Sequence, residues 1–453
     1  MVGEGDATAI PEVAELCRRL IRNACVNDGS PESGQEWRST DTLAEYFGRG
    51  GEPFEPAPGR RSVLYRVPGR DPAAPRLMLM GHTDVVPVNE ESWSVDPFGG
   101  EIVDGFLWGR GAVDMLNLTA AMAVVFKPYL TGERDPLPGD LLYLAVADEE
   151  AAGRLGAQPL VAERWDLVGC EYLLTEIAYP PLDVGEERGY PVSVGEKGPF
   201  WTALRTSGTP GHGSQPFGRE NALAALTEGV AGLFHTPAPV AITPIWEEFV
   251  RSLGLPPDQV EALCDPDRVD AEIERLAATD VRWASYVHAC THMTVSPNVV
   301  RGGTKANVIP DRAEAEVDVR ALPGMDREDV DQHLRKAMGS AGARIELVPV
   351  ADHVANWSPR PNPLWEAVVD ATEDLTGSRN VVPTLMPATT DARFFRDRGT
   401  IAYGAGLFDT SIRFADFLAM FHGNDERISI ASLELTVAFL DRTLQRFAEA
   451  VGG

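Results

Sequence analysis

Residues 76–87 read Arg-Leu-Met-Leu-Met-Gly-His-Thr-Asp-Val-Val-Pro, RLMLMGHTDVVP. The run is apolar at every position from Leu77 to Met80, so it suits a strand covered on both faces near the middle of a sheet. Polar chemistry begins where the run stops. His82 stands at the strand's carboxyl end, where open α/β sheets place their sites. Asp84, two residues on, lies on the same side while the chain stays extended. From there its carboxylate is placed to accept the second ring N–H of His82 and fix the tautomer, the usual support of a metal-ligating histidine. A lone His-x-Asp is more often a surface turn, so the reading depends on what surrounds it.

The same arrangement recurs outward along the chain. Asp140–Val146 (DLLYLAV) is a second apolar strand and runs into Asp148-Glu149-Glu150; Glu171–Leu174 is another and runs into Glu176. Adjacent acids at a strand end repel one another and are costly to bury unless a cation compensates them. A charged surface turn is the plain alternative. Asp114, in GRGAVDML, precedes a helix expected over Leu118–Lys127, a place where aspartate commonly serves as N-cap. His422, in FHGNDERISI, precedes a closing helix over Ser432–Ala448. Together these strand ends and loops deliver His, Asp and Glu, the nitrogen and oxygen ligands of zinc.

The 453 residues exceed one ordinary core, and the periodicity changes along them. Helices are expected over 11–25 and Thr40–Phe47 and a strand over Ser62–Val67. With the strands above, this alternation points to an α/β sheet with helices on its faces. After about residue 190, Phe200–Ser207 and Ala313–Arg320 alternate as half-covered antiparallel strands do. Helices Ala222–Phe234 and Asp326–Met338 and strand Arg344–Val350 complete an α+β unit. From Pro363 the first rhythm returns, with helix Leu364–Leu375 and strand Thr400–Tyr403. The expected organisation is a discontinuous α/β domain, 1–196 and 352–453, with an inserted α+β domain at 197–351. The stretch between Phe234 and Thr294 carries no readable motif and is assigned to the insert.

Composition sets limits on partners and compartment. A formal charge of −28 repels phosphate backbones and anionic membranes, which excludes nucleic acid and membrane surfaces as expected partners. Five cysteines without a CxxC spacing argue against a disulfide framework and a thiolate zinc site. The acidic N-terminus lacks a basic region followed by an apolar run, so it reads as no secretory signal, and a cytoplasmic protein is expected.

In order along the chain, GHTDVVP, the W-x-x-DPF of Trp93–Phe98, GRGAVDM, DEE and the HGNDE of His422–Glu426 resemble the signature segments of the M20 metallopeptidase family. TPGHGSQP around His212 and ANVIPDRAEAEVDVRALPG (Ala306–Gly324) resemble its lid segments, and the likeness runs over roughly residues 10–448. The resemblance implies a mixed-sheet α/β metallohydrolase catalytic domain whose inserted α+β domain is a lid and dimerisation domain. It implies two divalent metal ions, zinc first, with cobalt or manganese as alternatives. His82 would bind one metal and His422 the other, Asp114 would bridge them, and Glu150 would complete the second set. Glu176 would be the remaining ligand of the first metal; some members carry an aspartate one position earlier, where this chain has Thr175.

By the same resemblance Glu149 is the general base, with Asp84 in support, and His212 donates to the oxyanion, usually in the partner subunit's site of a homodimer. Asn307 and Arg320 match positions that in several relatives hold a substrate carboxylate, a role that suits arginine's planar fork. The implied activity is hydrolysis of an amide bond in a small N-acyl amino acid or dipeptide-like substrate. Aminoacylases, carboxypeptidases, dipeptidases and succinyl-diaminopimelate desuccinylases share the pattern. The alternative is a family member that has lost catalysis and binds a small molecule. Two features stand apart: Leu116 replaces the lysine of GRGAxDMK, and the loop MPATTDARFF (Met386–Phe395) matches a segment near the substrate without giving individual contacts.

Overall fold

The computed structural model describes residues 10–184 and 187–452. The opening residues 1–9, part of the stretch read as no secretory signal, lie outside the described residues. The fold is α/β, with a nine-stranded mixed sheet in the order Glu52–Phe54, Ser62–Val67, Leu141–Val146, Leu77–His82, Tyr172–Thr175, Ile401–Gly404, Glu187–Glu196, Val381–Met386, and Leu182–Val184 paired to Glu187–Glu196.

Leu77–His82 is central, buried at every position and parallel to both neighbours. Its alternate side chains serve two cores. Leu77 and Leu79 face the helices Glu12–Arg22, Leu116–Thr131, Pro363–Thr376 and Ile430–Val451; Met78 and Met80 face Ala157–Glu163 and Ala392–Arg396. That is the period-two signature of a strand covered on both sides.

Strand register aligns the chemistry. His82 pairs with Val146, two residues before Asp148, and Leu79 pairs with Leu174, two residues before Glu176. Three polar segments that are far apart in sequence therefore emerge at one edge of the sheet.

A second, antiparallel sheet lies between residues 198 and 349. Arg312–Ala321 is its centre, flanked by Thr294–Gly302 on one side and by Thr202–Ser207 with Ile345–Pro349 beyond on the other. Ala313, Ala315, Val317, Val319 and Ala321 point inward against the helices Ala222–His235 and Arg327–Met338, and the residues between them face outward. Asp326 and Asp329 form a capping box at the start of the second helix, each side chain satisfying the other's backbone N–H.

The helices Pro244–Ser252, Pro257–Leu263, Val269–Ala277 and Val281–Thr291, assigned by sequence to the inserted unit, bury their apolar faces elsewhere. Trp246, Phe249, Val250, Leu263, Tyr286 and Val287 join the larger core, where the first helix packs on strand Val381–Met386. Their aromatic stripe needs cover, and the edge strand of the main sheet provides it. No helix among the described residues is long and apolar enough to cross a membrane.

Candidate active site

His82 is buried at its strand end, with Nδ1 2.9 Å from the backbone oxygen of Asp84. Donation there leaves the Nε2 lone pair aimed at Asp114 Oδ1, 3.1 Å away, and Glu176 Oε2, 3.5 Å away. The tautomer is thus set by a backbone carbonyl rather than by the Asp84 carboxylate, which stands 3.7 Å from Nδ1. That carboxylate has other work. It accepts from the backbone N–H groups of Glu149 and Glu150 at 3.3 and 3.2 Å and from Asn27 Nδ2 at 2.8 Å. Asp84 therefore ties the acidic turn to the histidine strand.

Asp114 lies between two imidazoles, Oδ1 toward His82 and Oδ2 3.5 Å from His422 Nε2. Its position comes from Glu426, a buried carboxylate that accepts from the N–H groups of Gly111, Val113 and Asp114 and from Arg110 Nη1 at 2.6–3.0 Å. Glu426 is the last residue of HGNDE, a position to which sequence pattern alone assigns no role. Its signal was present: one acid four residues after His422, and one arginine, Arg110, in the Asp114 loop. His422 sits at the mouth of the site with φ 56°, a left-handed conformation uncommon for a side chain with a Cβ, and reaches Glu150 Oε2 at 3.2 Å.

The electrostatics ask for cations. Potential ligand atoms of His82, Glu149 and Glu176 lie within 4.8 Å of one another, as do those of His82, Asp114 and Glu150. Burial pushes Glu150 up to about 7 and Glu176 up to about 8, and burial with the Glu176 charge beside it holds Glu149 well above the usual range. Burial also acts to raise Asp114, but the His422 and His82 rings, where they carry the second proton, outweigh it and hold that carboxyl well below the usual range. In return, hydrogen bonds to Asp114 and Glu150 push His422 up to about 10. Glu150 Oε1 is buried with no protein partner. Crowded carboxylates that draw protons onto imidazoles are short of positive charge, and the N/O donor set is the one divalent zinc-type ions take. The residues fit such ions.

The remaining sequence candidates make no hydrogen bond or ion pair with this cluster among the described residues. His212 is exposed on the two-stranded ribbon of Gly211–His212 and Val308–Ile309, and Gly213 N–H donates to the backbone oxygen of Asn307 at 2.8 Å. Ser214 N–H donates to His212 Nδ1 at 3.2 Å. Among the described residues no hydrogen bond or ion pair joins His212 or Asn307 to the cluster. Arg320 is engaged already: Nε and Nη2 hold Asp318 at 2.7 and 3.2 Å, and Nη1 donates to Thr389 Oγ1 at 2.9 Å. Thr389 belongs to the MPATTDARFF loop, so Arg320 connects the second sheet to that loop.

A family profile described as "Peptidase family M20/M25/M40" matches residues 78–446. Succinyl-diaminopimelate desuccinylase of Methylorubrum extorquens is 26% identical over 446 residues, covering 95% of this chain and 98% of its own. Aminoacylase-1 of Sus scrofa is 25% identical over 437 residues, covering 94% and 93%. Among solved structures, an M20 family metallo-carboxypeptidase from Sulfolobus solfataricus has the same fold, with a TM-score of 0.72 at 17% identity over 97% of this chain and 100% of that one. The chain belongs to peptidase family M20/M25/M40 and is a hydrolase of amide bonds.

Proposed function

We propose that this hydrolase cleaves the amide bond of a small N-acyl amino acid or dipeptide-like substrate, with two divalent metal ions at the cluster and Glu149 as general base. The observation that carries this reading is Asp114, which offers one carboxylate oxygen to His82 and the other to His422. On this reading His82 and Glu176 would hold one ion and His422 and Glu150 the other, with Asp114 available to both; zinc is the first choice, with cobalt or manganese as alternatives. When bound, the ions would supply Lewis acidity, able to polarise an amide carbonyl and to lower the pKa of a water.

The chain's own residues do the rest. The Glu149 carboxylate takes the proton of the attacking water and passes it to the leaving nitrogen. Burial beside Glu176 raises its proton affinity, which suits a group that must keep the proton until the nitrogen needs it. Ser214 N–H on Nδ1 favours the Nε2–H tautomer of His212, a donor for a developing oxyanion. No hydrogen bond or ion pair joins His212 to the cluster among the described residues, and we assign it to the site of a second copy, in a homodimer formed through the inserted unit, residues 197–351. Asn307 and Arg320 would grip a free carboxylate beside the scissile bond, with that carboxylate taking the place of Asp318 on the arginine fork. We place the enzyme in the cytoplasm, in keeping with its acidity and scattered cysteines.

A panel of N-acyl amino acids and dipeptides, each assayed free and as its carboxyl amide, tests the reading on protein stripped with chelator and reloaded with one metal at a time. Turnover returns with two equivalents of metal, and blocking the carboxylate removes most of kcat/KM. Equal turnover of free and blocked forms would remove Arg320 and Asn307 from the account.

A further inference from the structure

Beneath the Asp148-Glu149-Glu150 turn lies a second group of charges that the reaction does not use. Arg60 is 1% exposed and Glu36 is fully buried. Arg60 Nε reaches both Glu36 oxygens at 2.9 and 3.1 Å, and Nη2 donates to Glu36 Oε1 at 2.8 Å and to Asp148 Oδ1 at 2.7 Å. Asp148 also accepts from Asn27 Nδ2 at 3.2 Å and from Leu155 N–H at 2.7 Å. The same Asn27 amide donates to Asp84, whose carboxylate takes the N–H groups of Glu149 and Glu150.

Asp148 has φ 70°, a left-handed conformation uncommon for a residue with a Cβ though less so for aspartate than for most, and its side chain is held there by the bonds above. The turn then closes on itself, with Gly153 N–H donating to the Asp148 backbone oxygen at 2.7 Å. Arg60 is the one cation bonded to the Asp148 side chain among the described residues. We propose that Arg60 is a positioning residue for hydrolysis: by holding Asp148 it fixes the left-handed turn that aims Glu149 and Glu150 into the metal cluster. It touches neither substrate nor metal. The inference rests on the roles proposed for those two glutamates.

Two features separate this role from plain stabilisation. A buried ion pair gains little over apolar residues of similar volume, because desolvation offsets the attraction, so stability alone does not account for Arg60 and Glu36. The guanidinium also grips Glu36 through both Nε and Nη2 while Nη2 holds Asp148, a planar arrangement that the point charge of a lysine ammonium does not reproduce.

The test compares Arg60→Lys and the double variant Glu36→Leu/Arg60→Met with wild type, each loaded with cobalt. Readouts are thermal unfolding, the cobalt absorption spectrum, and kcat and KM. We expect both variants to fold, kcat to fall by about 10–100-fold as when the outer partners of metal ligands are removed, KM to hold, and the cobalt spectrum to change as Glu150 shifts. Guanidinium ion added to Arg60→Ala should restore kcat saturably. Folded variants with wild-type kcat and cobalt spectrum would overturn the proposal, as would losses that track only the folded fraction. If wild type shows no metal-dependent turnover, the proposed reaction falls, while the cobalt spectra still decide whether Arg60 sets the turn.

Discussion

Replacing Glu426 by glutamine should separate the scaffold of the metal cluster from its ligands. In the native protein Oε2 accepts from Arg110 Nη1 at 2.9 Å and Gly111 N–H at 3.0 Å, and Oε1 accepts from Val113 N–H at 2.6 Å and Asp114 N–H at 3.0 Å. Glutamine keeps one of these oxygens and puts an N–H₂ in place of the other. If the amide nitrogen faces Arg110, a buried guanidinium loses its carboxylate, which costs about 3–5 kcal/mol. If it faces Val113 and Asp114, two buried donors are left unsatisfied at about 1–3 kcal/mol each. Either orientation predicts a loss of several kcal/mol. Either also loosens the loop carrying Asp114, so metal affinity should fall by about 10–100-fold, the usual effect of removing an outer partner. Urea unfolding of the metal-depleted protein reads the first number, and chelator competition reads the second. A stability loss below about 0.5 kcal/mol, the level of an ordinary surface substitution, together with unchanged metal affinity, would refute the role given to Glu426.

Mixing two inactive variants, His212→Ala and Glu149→Gln, under subunit exchange should recover roughly a quarter of wild-type activity, since random pairing gives half mixed dimers with one complete site each. No recovery despite demonstrated mixed dimers would place His212 in its own subunit's site or outside the reaction. The pH dependence of stability carries a separate signature. Burial, then the neighbouring His292 and Lys197, push His288 down to about 4, with Asp270 opposing. Its folded pKa is below the unfolded value of about 6.5, so between those pH values the unfolded chain binds the proton that the folded chain refuses, and stability falls as pH falls. His288→Gln should flatten that part of the profile relative to wild type; identical slopes would contradict the neutral state of this half-buried ring.

The sequence made the sheet legible because buried parallel strands are apolar runs that stop abruptly at polar residues. Leu77–Met80 and Leu141–Val146 show this plainly, and His82, the 148–150 turn and Glu176 lie together because strand register carries those stops to one edge. Partners that support the site from remote segments left no local pattern. Glu426 reaches a loop more than 300 residues earlier in the chain, and Arg60 meets Asp148 across 88 residues. Asp84 illustrates the limit. Its spacing from His82 was readable, but the competition for its carboxylate from the Glu149 and Glu150 amides was not. The stretch 235–294 gives no readable motif for a related reason: the stripe of Trp246, Phe249, Trp283 and Tyr286 announces burial without saying against which sheet. Arg320 was readable as a carboxylate-binding arginine, and the carboxylate it meets in the folded chain is Asp318.

The most direct test of the account is Glu149→Gln, assayed for metal content and turnover on the same preparation. The substitution removes the proton acceptor and keeps the shape. The account predicts two equivalents of metal, as in wild type, with kcat lower by about 10²–10⁴-fold, the range for loss of a general base. A variant that empties of metal while Glu150→Gln stays loaded, or one that turns over at the wild-type rate, would contradict the roles assigned to the two glutamates.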